Sequence, residues 1–292
     1  MNNKIYLMAA LIAFASVGAL LIQPTIASAQ SSMIDNILNS ALPSSNTNDN
    51  NQPSQVSSSS SSSSSAVPLS TSLSCGQVIK QSVKLTANLD CKTDGIIVGA
   101  DGITIDLNGF TLSGPGEKSS KVGIMFADND DVTVQGPGTI KGFQAGALFS
   151  GGEDNKISRA IFTGNEIAVF ETGSKNVAIE DNMMFENSIG VAAHSSSGSK
   201  LTTNLFKSND LAGVTLVNSA SNELSMNTIQ GSVNGIFLDG QSTKNNINSN
   251  NVLQNRGVDL NNGNGLPTNI NDNVFTDNNC ITSVPDGLCM GR

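Results

Sequence analysis

The 292-residue sequence is poor in the side chains that most often bind sugars and metals. It has no Trp, and its single Tyr, Tyr6, lies near the N-terminus. Sugar rings commonly stack on Trp and Tyr, so this scarcity weakens a carbohydrate-binding interpretation without excluding it. The single His, His194, is too few for a metal centre built from several imidazoles. A net charge of −9 repels phosphate backbones and argues against a nucleic-acid partner.

Residues 1–29 have the composition of a secretory signal peptide. Lys4 precedes an apolar run over residues 5–22, and Ala27, Ser28 and Ala29 provide the small side chains of a cleavage site. An uncleaved membrane anchor is the alternative, because a run of about 18 residues is near the length that spans a bilayer. With cleavage, the sequence predicts a secreted or cell-surface protein that has no membrane span.

Residues 30–74 form a segment rich in Ser and Asn, with an unbroken serine run over residues 57–65. So few apolar side chains cannot offset the entropy cost of ordering, which predicts a disordered tether. Within it, residues 33–42 carry apolar side chains at positions 34, 37, 38, 41 and 42, the spacing of one helical face. A helix of this length is marginal alone, so it either docks on the folded part or stays disordered.

An internal repeat begins near residue 95. A small residue followed by alternating apolar residues recurs every 22 or 23 residues, apart from one interval of 28 that contains the Gly- and Ser-rich segment 114–121. The repeats start at Gly95, Gly123, Gly146, Ala168, Gly190, Gly213, Gly235 and Gly257. Further apolar positions follow 11 and 16 residues after most starts, and Asn punctuates them at Asn182, Asn204 and Asn227 and at Asn165, Asn187 and Asn209.

These short apolar stretches alternate with period two and are too short for helices, so each reads as a strand with one face inward. Three strands per repeat, stacked coil on coil, predict an all-β fold, a right-handed single-stranded parallel β-helix of about eight turns over residues 95–279. Asn suits the corners because it tolerates left-handed backbone and can form hydrogen-bonded ladders. Residues 75–94 and 280–292 are expected to cap the two ends.

Four cysteines in an exported chain predict disulfides, with free thiols as the alternative. Cys75 and Cys91 flank the start of the repeats, and Cys280 and Cys289 flank the end. Eight turns at about 4.8 Å each would separate the two ends by roughly 38 Å. A bridge requires Cα atoms within about 7 Å, so the sequence predicts the pairs Cys75–Cys91 and Cys280–Cys289.

The repeat motifs resemble those of the pectate lyase-like superfamily of right-handed parallel β-helices. They include Gly213-Val-Thr-Leu and Asn222-x-Leu-x-x-Asn227-x-Ile229. This superfamily contains pectate lyases, polygalacturonases, alginate epimerases and periplasmic copper-linked β-helix proteins. The resemblance implies the fold over residues 95–279, but it implies little about activity because many functions share the scaffold. In catalytic members, carboxylates and cations from successive turns converge on the outer face of one sheet.

The corresponding outward positions in this chain are mostly apolar. The predicted outward column of the first strand reads Ile97, Met125, Leu148, Phe170, Ala192, Thr215, Phe237 and Asp259. A contiguous apolar surface usually marks an interface or lies beneath a covering segment, although an error in the inside-outside phase would scatter these residues. We take Met125, Leu148, Phe170 and Phe237 as the candidate binding surface.

Four ionisable residues are weak catalytic candidates: Glu171, His194, Asp239 and Asp259. Glycoside hydrolysis needs two carboxylates at a defined separation, and lyase or epimerase chemistry needs a base beside cations. The alternation assigns Glu171 to an inward position. A carboxylate there must be paired or must titrate abnormally, unless the assigned register slips at Ala168. We favour the slip. A direct pair between His194 and Asp239 is not expected, because two turns separate them.

Metal binding has little support in the sequence. Asp128, Asp130 and Asp131 offer oxygen ligands for calcium, with an acidic turn that binds no metal as the competing interpretation. Copper requires clustered His, Met or Cys, and the adjacent Met183 and Met184 are expected to point to opposite faces of a strand. No cofactor is predicted beyond this calcium option.

Two function classes stay open. The first is a non-catalytic extracellular or cell-surface binding or structural protein, whose partner is an extracellular polysaccharide or a surface protein. The alternative is a polysaccharide-active enzyme, such as a lyase, hydrolase or epimerase, or a carbohydrate-binding module. The first is favoured because the outward column lacks the charges that catalysis requires.

Overall fold

Each coil of the chain contributes one strand to each of three parallel sheets. The computed structural model describes residues 73–290; the predicted signal, the segment 33–42 and nearly all of the predicted tether lie outside this range. Within it, the strands follow the order sheet 1, sheet 2, sheet 3 through about nine coils. The predicted parallel β-helix is therefore confirmed, and the described residues contain no helix long and apolar enough to cross a bilayer.

The strands are numbered in chain order and grouped here by sheet. Sheet 1 contains β1 (Gln77–Ile79), β4 (Ile96–Val98), β7 (Val122–Ala127), β10 (Ala145–Ser150), β13 (Ile167–Thr172), β16 (Ile189–His194), β19 (Ala212–Val217), β22 (Asn234–Leu238), β25 (Val258–Asn262) and β28 (Ser283–Val284). Sheet 2 contains β2 (Val83–Lys84), β5 (Thr104–Asp106), β8 (Thr133–Gln135), β11 (Lys156–Ser158), β14 (Ala178–Glu180), β17 (Lys200–Thr202), β20 (Glu223–Ser225), β23 (Asn246–Asn248) and β26 (Val274–Thr276). Sheet 3 contains β3 (Leu89–Asp90), β6 (Thr111–Ser113), β9 (Thr139–Lys141), β12 (Ile161–Thr163), β15 (Met183–Phe185), β18 (Leu205–Lys207), β21 (Thr228–Gln230), β24 (Asn251–Val252) and β27 (Asn279–Cys280).

The glycine that opens most repeats is required by the close approach of successive coils. A Cβ atom on Gly123 would lie 2.3 Å from the carbonyl oxygen of Gly146, and one on Gly190 would lie 2.5 Å from that of Gly213. No real side chain tolerates such distances, so the column selects glycine, with Ala168 as the exception among the predicted starts. The next residue along each strand points into the core, as Val191 and Val214 do.

Buried asparagines stack along the corners and satisfy backbone groups of neighbouring coils. The backbone N–H of Asn182 donates to Oδ1 of Asn204 at 3.0 Å, and Nδ2 of Asn204 donates to the carbonyl of Ile179 at 2.7 Å. Asn204 in turn donates from its backbone N–H to Asn227. A second ladder joins Asn165, Asn187 and Asn209. The Asn punctuation of the sequence is therefore a hydrogen-bond framework for the turns.

Both ends of the β-helix extend beyond the predicted repeats. The segments that we expected to be caps contribute strands of their own: residues 75–94 hold β1, β2 and β3, and residues 280–292 hold β28. Cys75 is bonded to Cys91 and Cys280 to Cys289, as predicted. The disulfides thus close the first and last coils. The segment 114–121 is a loop between β6 and β7, also as predicted.

The last predicted coil start is wrong. Val258 pairs with Asn234 and Leu260 pairs with Ile236, so Asp259, rather than Gly257, stands where earlier coils have their glycine. The outward position that we assigned to Asp259 belongs to Asn261, which pairs with Phe237. The periodic spacing failed here because the preceding coil, which starts at Gly235, is two residues longer than the one before it, and the coil that follows has no glycine at its start.

Candidate functional site

Glu171 lies inside the β-helix, and the register slip that we favoured does not occur. It pairs with Phe149 in the coil before and Ala193 in the coil after, so the register continues through Ala168. The side chain is 0% exposed. The inward position predicted for this residue is therefore its true position.

Hydroxyl groups hold one oxygen of this buried carboxyl group. Oε2 of Glu171 accepts from Oγ of Ser199 at 2.6 Å and from Oγ of Ser174 at 3.4 Å, and Ser174 contacts Oγ of Ser196 at 3.2 Å. The other oxygen, Oε1, has no hydrogen-bond partner among the described residues. Burial raises the pKa of Glu171 from 4.5 to about 7, although the two serine hydrogen bonds lower it. The group therefore titrates abnormally within the wall of the β-helix.

His194 is the last residue of β16, and Asp239 directly follows β22, so both lie where a strand of sheet 1 ends. Their side chains have different hydrogen-bonding environments. His194 pairs with Thr172 and Val217 in the neighbouring coils, and its Nδ1 is buried without a hydrogen-bond partner. Asp239 uses one oxygen, Oδ1, to accept from Oγ of Ser242 at 2.7 Å and from the backbone N–H groups of Ser242 and Gln241. The Asp239 carboxylate therefore closes a turn.

The Asp259 carboxylate is held by backbone and amide groups at the C-terminal end. Oδ1 accepts from Nδ2 of Asn255 at 2.9 Å, and Oδ2 accepts from the backbone N–H groups of Ile281 and Thr282. The residue is 2% exposed. These bonds tie the last coil to the C-terminal segment. The structure thus gives each of the four predicted catalytic residues a separate environment and brings none of them into one groove.

The acidic turn proposed for calcium uses its side chains and backbone in local hydrogen bonds. Asp128 and Asp131 adopt left-handed backbone conformations, which short polar residues tolerate in turns. Oδ1 of Asp130 accepts from the backbone N–H of Glu153 at 2.8 Å. Among the described residues, no group of three or more His, Cys, Asp and Glu side chains is placed to hold a metal ion.

Sulfur and imidazole donors are equally dispersed. Met184 is buried in the core, whereas its neighbour Met183 is 42% exposed on the outside of sheet 3, as predicted for adjacent strand residues. All four cysteines are in disulfides. The residues paired with His194 on either side, Thr172 and Val217, are not soft ligands.

The outer face of sheet 1 carries an apolar strip, and it is buried. Leu148, Phe170 and Phe237 of the predicted binding surface are 1%, 0% and 2% exposed, and Met125 is half-buried. A second column, formed by the residues immediately before the glycine position, packs beside them. Its members are Val122, Ala145, Ile167 and Ile189. The sequence reasoning missed this column, although an apolar residue before each of these starts was a readable signal.

The outer face of sheet 2 is polar and open. We call it the polar face, and it consists of two columns in register. They are Thr133, Lys156, Ala178, Lys200, Glu223 and Asn246, and Gln135, Ser158, Glu180, Thr202, Ser225 and Asn248. Most of these residues are partly exposed. Nζ of Lys156 lies 2.5 Å from Oε2 of Glu180 on the next coil, so opposite charges pair along the stack.

Comparison with solved structures finds other proteins of low sequence identity. A DFA-IIIase from Arthrobacter chlorophenolicus A6 in complex with GF2 is 14% identical over 58% of this chain and 54% of that one, with a TM-score of 0.44. The catalytic unit of a GH87 alpha-1,3-glucanase from Streptomyces thermodiastaticus strain HF3-3 is 7% identical over 73% and 51%, with a TM-score of 0.40. The A-module of the mannuronan C-5 epimerase AlgE4 from Azotobacter vinelandii is 12% identical over 70% and 80%, with a TM-score of 0.33.

These similarities carry no inference about activity, because the identities and TM-scores are low. The chain spans only about half the length of the DFA-IIIase, 54%. No curated protein matches the sequence. Residues 87–286 match a family model described as "Periplasmic copper-binding protein (NosD)".

Proposed function

Since the chain belongs to the NosD family, described as periplasmic copper-binding proteins, we propose that it is a non-catalytic binding or structural protein of an extracytoplasmic compartment. The two disulfides support that location, because such bonds persist in oxidising compartments. The secretory composition of residues 1–29 points the same way.

One observation carries the non-catalytic part of the proposal: each of the three acidic candidates is committed to the scaffold. Glu171 is enclosed in the core, Asp239 closes a turn, and Asp259 binds the backbone of the last coil. Polysaccharide hydrolysis requires two carboxylates facing one substrate, and elimination requires a base beside groups that neutralise the acid sugar. The positions of these side chains match neither requirement.

Copper in the family description does not fit the donors found among residues 73–290. A copper centre uses clustered His, Cys or Met ligands. Here the cysteines are oxidised, Met183 and Met184 lie on opposite sides of a strand, and the neighbours of His194 are Thr172 and Val217. We therefore assign copper no part in the proposed function.

The polar face is the surface that we propose for the ligand, and an extended extracellular polysaccharide is the ligand class that it fits. Hydroxyl and amide groups repeat along it at the coil spacing of about 4.8 Å, so a polymer lying along the axis would meet similar hydrogen-bonding groups at each coil. Residues such as Gln135, Thr202 and Asn248 are partly exposed. Such a face can bind sugar hydroxyls without aromatic stacking.

Binding is tested by affinity electrophoresis of the purified protein in gels containing pectin, alginate or related polymers. We expect at least one polymer to retard the protein, and the Gln135→Ala/Thr202→Ala double variant to be retarded severalfold less. Lys207→Ala, an exposed change on sheet 3, is the matched control and should behave as the wild type. Equal retardation of all three proteins would rule out the polar face as the binding surface.

The alternative is a polysaccharide-active enzyme, and the observation in its favour is the pKa of Glu171. A carboxyl group with a pKa of about 7 suits general acid-base chemistry near neutral pH. The same polymers are therefore incubated with the protein and assayed for unsaturated products by ultraviolet absorbance and for new reducing ends. Turnover that Glu171→Gln abolishes would replace our proposal with the enzymatic one.

A further inference from the structure

The apolar strip on the outer face of sheet 1 is buried as deeply as the core. Along one outward column, exposure falls from 51% at Val78 in the first coil to 1% at Leu148 and 0% at Phe170. It stays near zero as far as Phe237, which is 2% exposed. Val78 lies in the terminal strand of the sheet, so its exposure also reflects the neighbour that it lacks on one side. Five consecutive outward positions from Leu148 to Phe237 are nevertheless at most 2% exposed, which indicates a covering layer.

Within the described residues, no apolar side chain from outside sheet 1 and its flanking turns packs against the strip. Apart from the buried members of the strip itself, the apolar side chains that pack against it within residues 73–290 are Met125 and Leu211, and both belong to sheet 1 or its flanking turn. The side chain of Gln144 at the edge of the strip is also buried, at 8%.

The middle of the strip favours an apolar partner. Thr215 occupies the outward column between Ala192 and Phe237, and it is 0% exposed. Its Oγ1 has no hydrogen-bond partner. A polar or hydrated covering layer would satisfy this hydroxyl, so hydrocarbon side chains are expected above it.

We propose that residues 33–42 of this same chain dock on the strip as a short amphipathic helix. Their apolar side chains at positions 34, 37, 38, 41 and 42 form one helical face. A helix of ten residues is about 15 Å long, and the buried strip from β10 to β22 spans four coil spacings, or about 19 Å. The remaining sequence between this segment and residue 73 is polar and rich in Ser, so it offers no comparable apolar face.

The chain that links the segment to the β-helix is long enough for this placement. Residues 43–72 separate it from the first described residue, Leu73, which lies beside β1. A flexible linker of 30 residues has a root-mean-square span of about 30 Å. The strip begins three coil spacings from β1, or about 14 Å away, and ends about 34 Å away. Docking therefore requires no stretching of the linker.

Hydrogen–deuterium exchange of the full-length protein tests the proposal. We expect residues 33–42 to be protected, whereas the serine run over residues 57–65 exchanges at the rate of an unstructured chain. The Ile37→Asp/Leu38→Asp double variant should remove that protection and raise the fluorescence of the dye ANS severalfold, because it uncovers the strip. The coils should retain their circular dichroism. Deletion of residues 33–42 should raise ANS fluorescence equally without introducing charge.

The matched control places the same charges on the opposite helical face, in Asn36→Asp/Asn39→Asp, and should change neither readout. Three outcomes would overturn the proposal. The first is rapid exchange of residues 33–42 in the unmodified protein. The second is protection of residues 5–22 in their place, which would identify an uncleaved signal as the cover. The third is ANS fluorescence that rises on dilution together with loss of a dimer in light scattering, which would identify a second copy as the cover.

Discussion

The buried carboxyl group of Glu171 makes the stability of this β-helix depend on pH, and Glu171→Gln should remove that dependence. The pKa of Glu171 is raised by burial to about 7 from 4.5, so the folded state binds its proton more tightly than the unfolded state. The contribution of this proton is fully present below about pH 4.5 and is lost as the pH rises to about 7. One pKa unit corresponds to about 1.4 kcal/mol, so the total loss is about 3 kcal/mol.

Glutamine keeps the size of the side chain but cannot ionise. We therefore expect Glu171→Gln and the wild type to have similar free energies of unfolding at about pH 4, and the variant to be more stable by up to about 3 kcal/mol at about pH 8. Chemical denaturation followed by far-ultraviolet circular dichroism is the suitable assay, because the sequence lacks Trp. Other carboxyl groups also titrate, so the informative quantity is the difference between the two proteins at each pH.

Glu153→Gln is the control, because Glu153 is exposed in the turn before β11. Its difference from the wild type should not vary between about pH 4 and pH 8 by more than a few tenths of a kcal/mol. If the Glu171→Gln and wild-type profiles ran parallel over this range, the carboxyl group would not be desolvated as described, and the reasoning would fail.

Three further predictions concern the scaffold and use the same denaturation assay. Asn204→Ala should lower the free energy of unfolding by about 1–3 kcal/mol, because buried backbone groups lose their hydrogen-bond partners. Asn251→Ala, at an exposed position, should change it by no more than about 0.5 kcal/mol. Equal effects of the two substitutions would contradict the ladder. Gly190→Ala should lower the free energy of unfolding by about 1–3 kcal/mol, because its Cβ would clash with the next coil. An unchanged denaturation midpoint would count against this close approach. Replacing Cys75 and Cys91 by Ser should cost about 3 kcal/mol, given their separation of 16 residues, and no loss would argue against a stabilising role for the bridge.

The repeat made most of the fold predictable from the sequence, because a β-helix depends on local periodicity. The glycines marked the repeat starts, although the close coil contacts at those positions emerged only from the structure, and the spacing of Asn182 and Asn204 predicted a ladder at one corner. The start of the C-terminal coil was misplaced because Asp259 replaces the glycine there and the coil before it is longer. A fixed period could not reveal that backbone N–H groups, rather than solvent, bind this carboxylate.

The environment of Glu171 was less predictable, for a physical reason. Its position in the alternation was readable, but an inward carboxyl group is costly unless partners surround it. Those partners, Ser174 and Ser199, lie in turns three and 28 residues further along the chain, where serine is an ordinary turn residue. Similarly, the strand pattern predicted an outward apolar strip that is either an interface or the site of a covering segment, but it gave no measure of how deeply those side chains are buried.

The stacking of nearly identical coils makes the length of this protein modular. Within residues 73–290, each strand pairs with its copies in the coil before and the coil after, and Asn side chains such as Asn204 and Asn227 link neighbouring coils. Removal or duplication of one whole unit of about 22 residues would therefore leave every remaining interface of the same kind. The distance between the two disulfide-closed ends can thus change in steps of about 4.8 Å, without a redesigned core. Proteins with this scaffold can therefore differ in the length of the β-helix through the number of coils alone.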